Sequence, residues 1–243
     1  MKVINSTQDP ILDTLYETHK SIPYGLIVEG SWTPPTKDFR IPWTDGLIDQ
    51  MADVPQNGYC YLDIEGSLDP DHTDVNLDLA HPNANPATSA TIRRDFLEAA
   101  RAARPDVHFG VYGIPFSAKN FNTEWEEMTR RDALCSDHIS GLVDFMHIDC
   151  YPVTAPNQEE WRKRIRIQYG LALSYYPDIP IHAGYYRGSG DDEVTIDRMM
   201  EDALWLRQLG FDGYIYWDKA AVTSVGQDTK DALAVINGWN AVP

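Results

Sequence analysis

Two carboxylates close one apolar segment of the chain, Tyr59-Cys-Tyr-Leu-Asp-Ile-Glu65, and their spacing suggests acid–base chemistry. If this segment is a strand, Asp63 and Glu65 project to the same side, roughly 6–7 Å apart along it. Two close carboxylates cannot both ionise freely, so the pKa of one should rise. A protonated acid beside an ionised partner can cleave a glycosidic bond. The pair could instead bind a divalent metal, or simply cap a strand end.

A later segment repeats this spacing. Asp149 and Tyr151 are two residues apart, and His147 shares their side one step deeper. A histidine buried there is more often a hydrogen-bonded core residue than a ligand. His147 with Asp149, Asp63 and Glu65 forms the metal alternative, but the spacing matches no known metal motif. We therefore predict Asp63, Glu65, Asp149 and Tyr151 as catalytic residues, with no metal and no cofactor.

Polar and aromatic residues also close the other strand-like segments. Sugar rings present flat C–H faces that stack on aromatic rings, and tyrosine and tryptophan add directed hydrogen bonds. We therefore predict a sugar-binding cleft at these ends. The predicted substrate-binding residues are Glu29, Trp32, Tyr186, Trp217 and Asp218, and the same ends also carry Tyr185, Arg187 and Tyr216.

Strand-like and helix-like segments alternate along the chain, which predicts a parallel sheet with crossover helices. The predicted strands are 24–32, 59–66, 107–116, 143–152, 179–187 and 211–218; the predicted helices are 89–104, 124–142, 158–176, 192–209 and 228–239. We predict an α/β fold, one TIM-like β/α barrel over 1–243, in which the carboxyl ends of the strands form the catalytic face. Segment 1–5 or 11–16 can add a strand, so a barrel with seven strands or otherwise incomplete is as probable as a full one. A doubly wound open sheet is the alternative, although no Gly-x-Gly-x-x-Gly turn follows any strand. Loop 67–89 is predicted to be a solvated wall of the cleft.

Net charge and hydrophobicity limit the classes of partner that the protein can bind. The 243 residues carry a net charge of −17, which disfavours nucleic acid. No apolar run is long enough for a membrane span, and we expect a monomer that binds carbohydrate. No signal peptide is visible in residues 1–10, so we expect a cytoplasmic protein, a phage- or virion-associated one, or a secreted one whose natural start lies upstream. The three cysteines are an odd number without CxxC spacing, so neither a disulfide framework nor a zinc knuckle is indicated, and Cys60 and Cys150 are expected to be buried.

Several strand ends resemble those of sugar-cleaving barrels. The Asp63-Ile-Glu65 end is similar to the catalytic strand of the chitinase-like and hyaluronidase-like glycoside hydrolases, and to that of the lysozymes typified by the Chalaropsis muramidase. Only the last Asp and Glu of the chitinase signature Asp-x-x-Asp-x-Asp-x-Glu are present. Three later segments resemble later strands of these enzymes: Phe145-Met-His-Ile-Asp-Cys-Tyr151, Ile181-His-Ala-Gly-Tyr-Tyr-Arg187 and Leu209-Gly-Phe-Asp-Gly-Tyr-Ile-Tyr-Trp217.

This resemblance implies a glycosidase mechanism. Glu65 would be the general acid, and Asp63 would orient a substrate acetamido group that acts as internal nucleophile. Tyr151 or Tyr186 would help to hold that group, and Trp217 would stack under the sugar. Without an N-acetyl group, Asp149, Asp218 or Glu29 would have to supply the second carboxylate. The alternatives are a non-catalytic glycan-binding barrel, or a metal-dependent hydrolase or lyase on the same fold.

Overall fold

A computed structural model describes residues 2–5, 17–24, 51, 54, 56–64, 67–69, 72–76, 85–114, 125–188, 193–216 and 226–238. At 2–5, 17–24, 62–64, 67–69, 72–76, 125, 126, 128 and 154 it describes the backbone alone. The strands are β1 (Lys2–Asn5), β2 (Glu17–Tyr24), β3 (Tyr59–Ile64), β4 (Ser67–Asp69), β5 (His72–Asn76), β6 (His108–Tyr112), β7 (Phe145–Asp149), β8 (Ile181–Tyr185) and β9 (Gly213–Tyr216). The helices are α1 (Pro86–Ala103), α2 (Trp125–Ile139), α3 (Gln158–Tyr175), α4 (Ile196–Leu209) and α5 (Gln227–Gly238).

Five strands form a curled parallel sheet in the order β3, β6, β7, β8, β9. The register pairs Tyr61 with Gly110, Tyr112 with His147, and His147 with His182. Helices connect successive strands from β6 to β9, because parallel neighbours need a crossover connection. This confirms the α/β class and an incomplete TIM-like barrel.

The backbones of β1 and β2 pair with the two edges of this sheet. Val3 of β1 pairs with Tyr214 of β9, and His19 of β2 pairs with Tyr59 of β3; β1 and β2 also pair with each other. Strand β1 lies in segment 1–5, one of the two segments in which we predicted a further strand. The predicted strand 24–32 falls outside the described residues except for Tyr24, which ends β2.

The helices begin where side chains can satisfy their free N–H groups. The Asn85 side chain accepts a hydrogen bond from Thr88 N at 3.1 Å, so α1 starts three residues before the predicted position. Asn157 caps α3 in the same way. Helix α4 ends at Leu209, and its C-cap is Gly210, whose φ of 117° lies in the left-handed region that favours glycine.

One face of the sheet packs against the helices and forms the main apolar core. Cys60, Phe109 and Met146 pack with α1 and α2, whereas Ile148, Tyr185 and others pack with α3, α4 and α5. Cys60 and Cys150 are buried, as predicted. Burial also raises the pKa of the Cys150 thiol well above its ordinary value, which keeps this thiol protonated.

The opposite face, called the inner face below, carries mostly rings. Its lower cluster is Tyr59, His108, Phe145 and His182, at the amino-terminal ends of β3, β6, β7 and β8. Above it, His147 contacts Tyr61 and Tyr112. Glycine makes this crowding possible at two positions. A Cβ atom on Gly110 would lie 2.5 Å from the Phe145 ring, and one on Gly184 would overlap Nε2 of His147.

Segment 67–89, predicted to be a loop, contains a small antiparallel hairpin. Strands β4 and β5 pair through Ser67 with Asn76 and Asp69 with His72, with an irregularity between these pairs. The alternation of polar and apolar residues is too weak here for the sequence to predict these short strands. Within the described part of the chain, no helix is both long and apolar enough to cross a bilayer.

Candidate active site

Asp149 lies at the carboxyl end of β7 and is 3% exposed. Its Oδ1 accepts a hydrogen bond from the backbone N–H of Tyr151 at 3.0 Å. This bond turns the chain directly after the strand, and a single 3₁₀ turn, Pro152–Thr154, follows. The local sequence therefore fixes a buried carboxyl group at the end of the barrel where catalytic residues of such folds lie.

Three tyrosines, called the tyrosine cluster below, lie at or just beyond the carboxyl ends of β6, β7 and β8: Tyr112, Tyr151 and Tyr186. The ring centroids of Tyr112 and Tyr151 are 6.4 Å apart with an interplanar angle of 27°, and those of Tyr151 and Tyr186 are 5.9 Å apart at 75°. Tyr186 is buried, whereas Tyr112 and Tyr151 are half-buried. The structure thus brings the predicted residues Asp149, Tyr151 and Tyr186 together.

His147 lies below the tyrosine cluster, as its place in β7 predicted. Its ring meets Tyr61 edge-on at 4.6 Å and Tyr112 at 5.0 Å. Burial, aided by the nearby His182, lowers the pKa of His147 to about 3, so the imidazole is neutral at ordinary pH. Neither ring nitrogen forms a hydrogen bond with a residue that the structure describes.

Asp63 lies within β3, where its backbone pairs with that of Pro23. Strand β6 separates β3 from β7, so the backbone positions of Asp63 and Asp149 lie on strands two places apart in one sheet. Five predicted residues lie outside the described part of the chain: Glu65, Glu29, Trp32, Trp217 and Asp218.

Three strand-end residues that we grouped with the site contact the helices or their flanks instead. Tyr185 donates a hydrogen bond to Asp202 of α4 at 3.0 Å, and Tyr216 packs in the core beside α4 and α5. The Arg187 guanidinium pairs with Glu193 at 2.6 Å, and it also donates to the backbone oxygen of Val194 and the hydroxyl of Thr229. Strand alternation explains Tyr185, because Tyr186 has the opposite parity.

Tyr112 is a member of the cluster that we did not predict. It ends β6 and lies four residues after His108, so the two side chains point to the same face of the sheet. That spacing was the available signal, but the surrounding run is almost wholly apolar and gave Tyr112 the appearance of a core residue.

No group of three or more histidine, cysteine, aspartate or glutamate side chains has metal-binding geometry among the side chains that are described. That set includes His147 and Asp149 but neither Asp63 nor Glu65. The metal alternative therefore stays untested at the Asp-Ile-Glu end of β3.

Comparison with known proteins shows the fold. No protein-family model and no curated protein sequence matches the chain. Two crystal structures of catalytic-site mutants of active domain 2 of a chitinase from Pyrococcus furiosus, one complexed with chito-oligosaccharides, align with TM-scores of 0.57. Identity is 12% and 13%, over 93% and 94% of this chain and 74% and 75% of the chitinase chains. An endo-1,4-β-mannanase from Rhizomucor miehei aligns at 0.47 with 14% identity, over 77% of this chain and 51% of its own. The chitinase domain and this chain share a fold, and identities this low indicate nothing about activity.

Proposed function

We propose that this protein is a glycoside hydrolase that cleaves a polysaccharide or glycan, with Glu65 as general acid and Asp63 as its helper. One observation carries the proposal: the buried Asp149 and the ring cluster of Tyr112, Tyr151 and Tyr186 lie at or just beyond the carboxyl ends of the neighbouring strands β6, β7 and β8. A carboxyl group near aromatic rings suits a sugar, because the rings stack on C–H faces while the carboxyl group accepts hydrogen bonds from sugar hydroxyl groups. The chain shares its fold with a chitinase domain, and the proposed reaction is one that such a fold can carry out.

The proposed reaction begins with proton transfer from Glu65 to the glycosidic oxygen, so that the bond to the anomeric carbon breaks and the leaving sugar gains the proton. Asp63 orients an acetamido group on the cleaved sugar, whose oxygen attacks the anomeric carbon. Water then attacks the anomeric carbon and breaks its new bond to the acetamido oxygen, and Glu65 recovers its proton from that water. The mechanism requires an N-acetylhexosamine at the cleaved position.

A substrate without an N-acetyl group needs a second carboxylate. Asp149 is the described candidate, and Asp218 and Glu29 are the others. A separation from Glu65 of about 5–5.5 Å suits direct attack and retention, whereas about 6.5–9.5 Å leaves room for water and gives inversion. The remaining predicted residues hold the sugar: Tyr151 and Tyr186 near the acetamido group, Trp217 beneath the ring, and Glu29, Trp32 and Asp218 at the cleft.

We also propose that β1 and β2 complete a ring of seven strands within one domain over 1–243. The backbone pairing of Val3 with Tyr214 and of His19 with Tyr59 supports this closure. A closed ring removes both sheet edges and surrounds the inner face with strands. It would place the Asp-Ile-Glu end of β3 at the same rim as Asp149.

The decisive variant is Glu65→Gln. It should lower hydrolysis by about 10²–10⁴-fold, because it removes the transferable proton while keeping the side-chain shape. Glu98→Gln is a matched control, since Glu98 is an exposed α1 residue 58% accessible to solvent. Wild type and both variants would be assayed on chito-oligosaccharides, peptidoglycan, cellulose and mannan, with circular dichroism as a check on folding. Full activity of Glu65→Gln would exclude Glu65 as the acid.

A second candidate is a glycan-binding barrel without catalysis. It is favoured by one observation, that only the last two acidic residues of the chitinase signature are present at Asp63 and Glu65. The same panel separates the two candidates, because saturable binding without turnover indicates a binding protein. Turnover of any of these glycans excludes it.

A further inference from the structure

We propose that Tyr112 is a further substrate-binding residue and that His147, seated over Gly184, is the residue that positions it. This inference rests on the proposed function, because it assigns roles within the same sugar site. It concerns only described residues and is independent of which carboxylates react.

Tyr112 extends the tyrosine cluster across the strand ends. It ends β6, next to β7, and its ring is nearly parallel to that of Tyr151 at a centroid distance of 6.4 Å. Tyr112 is half-buried and stands at the carboxyl end of its strand, the same end at which Asp149 closes β7. A sugar that contacts Tyr151 would therefore also meet Tyr112.

His147 supports Tyr112 from below. Its ring meets the Tyr112 ring at an interplanar angle of 70° and the Tyr61 ring at 83°, both within 5.0 Å. Edge-to-face packing of this kind fixes the direction of a ring as well as its height. His147 itself is held from the other side, since Nε2 lies where a Cβ atom of residue 184 would be. Only glycine at position 184 leaves room for the His147 ring.

The described contacts of the His147 side chain are ring packing contacts with Tyr61 and Tyr112. The imidazole is neutral because burial lowers its pKa to about 3, and it forms no hydrogen bond to a described residue. Its effect on Tyr112 should therefore depend on ring shape. Phenylalanine at position 147 should keep the Tyr112 ring in place, whereas alanine should not.

His182 offers a matched control within the same barrel. It pairs with His147 across β7 and β8 and is also buried on the inner face. Its ring, however, belongs to the lower cluster, 5.2 Å from Phe145 and 6.2 Å from Tyr59. Loss of the His182 ring should lower stability as much as loss of the His147 ring, without disturbing the tyrosine cluster.

The experiment measures binding and turnover separately. The probe is whichever six-sugar oligomer of N-acetylglucosamine, glucose or mannose the wild type binds most tightly by calorimetry. In a Glu65→Gln background, His147→Ala should raise Kd about tenfold, and Tyr112→Ala should raise it at least as much. His147→Phe should restore Kd to within about twofold of its background. In the otherwise wild-type enzyme, His147→Ala should raise KM while kcat changes less than about threefold.

His182→Ala should lower Tm by an amount similar to His147→Ala and leave Kd unchanged. An equal rise in Kd for both alanine variants would overturn the inference, because it would reduce His147 to a general stabiliser. Failure of His147→Phe to restore Kd would overturn it as well, since ring shape would not be the cause. If the wild type neither binds nor cleaves any of the three probes, the proposed function fails together with this inference. Tight wild-type binding that is indifferent to Tyr112→Ala refutes this inference alone.

Discussion

Two buried aspartates, Asp202 on α4 and Asp149 at the end of β7, lie on opposite faces of the same sheet. Asp202 is fully buried and is surrounded by side-chain donors. Arg198 donates to both of its oxygens at 2.8 Å, Gln158 donates at 3.1 Å, and the Tyr185 hydroxyl donates at 3.0 Å. These bonds join α3, α4 and β8, so Asp202 ties the helical layer to the sheet.

Asp149 is almost as buried, but it is arranged differently. Its Oδ1 accepts a hydrogen bond from the backbone N–H of Tyr151, and the tyrosine cluster lies at the same strand ends. A carboxyl group that bonds two helices and a strand on the helical side of the sheet serves packing, whereas one at the carboxyl end of a barrel strand lies where a ligand can bind. The comparison teaches that burial alone does not identify a functional carboxyl group, and that its place in the fold has to be considered as well.

The largest expected effect within this comparison is on catalysis, from Asp149→Asn. On a substrate without an N-acetyl group, for which Asp149 is the described candidate for the second carboxylate, we expect kcat/KM to fall by about 10²–10³-fold, because the amide cannot act as a base or stabilise positive charge on the sugar. The amide oxygen can still accept the Tyr151 N–H bond, so the free energy of unfolding should change by less than about 1 kcal/mol. Steady-state kinetics and urea unfolding test both parts. A variant that keeps its activity would show that Asp149 is structural, like Asp202.

Asp202→Ala is expected to lower stability and leave turnover nearly unchanged. It should lower the free energy of unfolding by about 2–3 kcal/mol, because the Tyr185 hydroxyl and the Arg198 guanidinium lose a buried acceptor. Turnover should remain within about threefold of wild type, since Asp202 lies on the helical side of the sheet. Urea unfolding monitored by fluorescence gives the first quantity, and the same glycan assay gives the second. A collapse of kcat in a folded variant would remove the distinction between the two aspartates.

The inner face can be tested without changing any carboxyl group. In Gly184→Ala the new methyl group overlaps the His147 ring, so we expect a loss of about 2 kcal/mol of stability. Gly170→Ala is the matched control, because that Cβ meets no atom within 4 Å and alanine favours the helix α3. In a His147→Ala background, Gly184→Ala should cost little further stability, because the overlapping ring is gone. Additive losses in this double variant would contradict the proposed contact.

The sequence was sufficient to predict the five strands β3, β6, β7, β8 and β9 and the strand-end positions of Asp149, Tyr151 and Tyr186. Parallel strands buried on both faces read as apolar runs, and their last residues carry the polar groups, which is why Asp149, Tyr151 and Tyr186 could be found. Strand parity would also have assigned Tyr185 to the helical side, opposite Tyr186. The Asp202 network could not be predicted, because its partners Gln158, Tyr185 and Arg198 come from three elements whose packing angle no local pattern encodes.

Tyr112 and His147 show a different limit. Tyr112 lies in an almost wholly apolar run and was not singled out, and for His147 the sequence left both a core role and a metal role open. Their relation depends on Gly184, which is 37 positions beyond His147 in sequence and lies beside it only through the β7–β8 register. Contacts of this kind follow from the register of the barrel and not from a motif.

The smallest expected effect is the pH dependence of stability at Asp202. Burial raises its pKa above the ordinary 3.8, although bonds from Arg198, Gln158 and Tyr185 oppose the rise. The folded state therefore holds a proton that the unfolded state has released. Its contribution to the free energy of unfolding falls as pH rises from about 3.8 to the folded pKa, and is constant above it.

The measurement compares wild type with Asp202→Asn by urea unfolding between pH 3 and pH 7. The stability of wild type minus that of the variant should fall with rising pH, by less than about 1.4 kcal/mol per pH unit, and then become level. Glu127 titrates in the opposite sense, because Arg130 and Arg131 lower its pKa to about 2, so it loses stabilisation as the pH falls below 4.5. That contribution is common to both proteins and cancels in the difference. A difference that grows with pH would mean that the Arg198 ion pair outweighs burial, and Asp202 would then resemble an ordinary paired carboxylate.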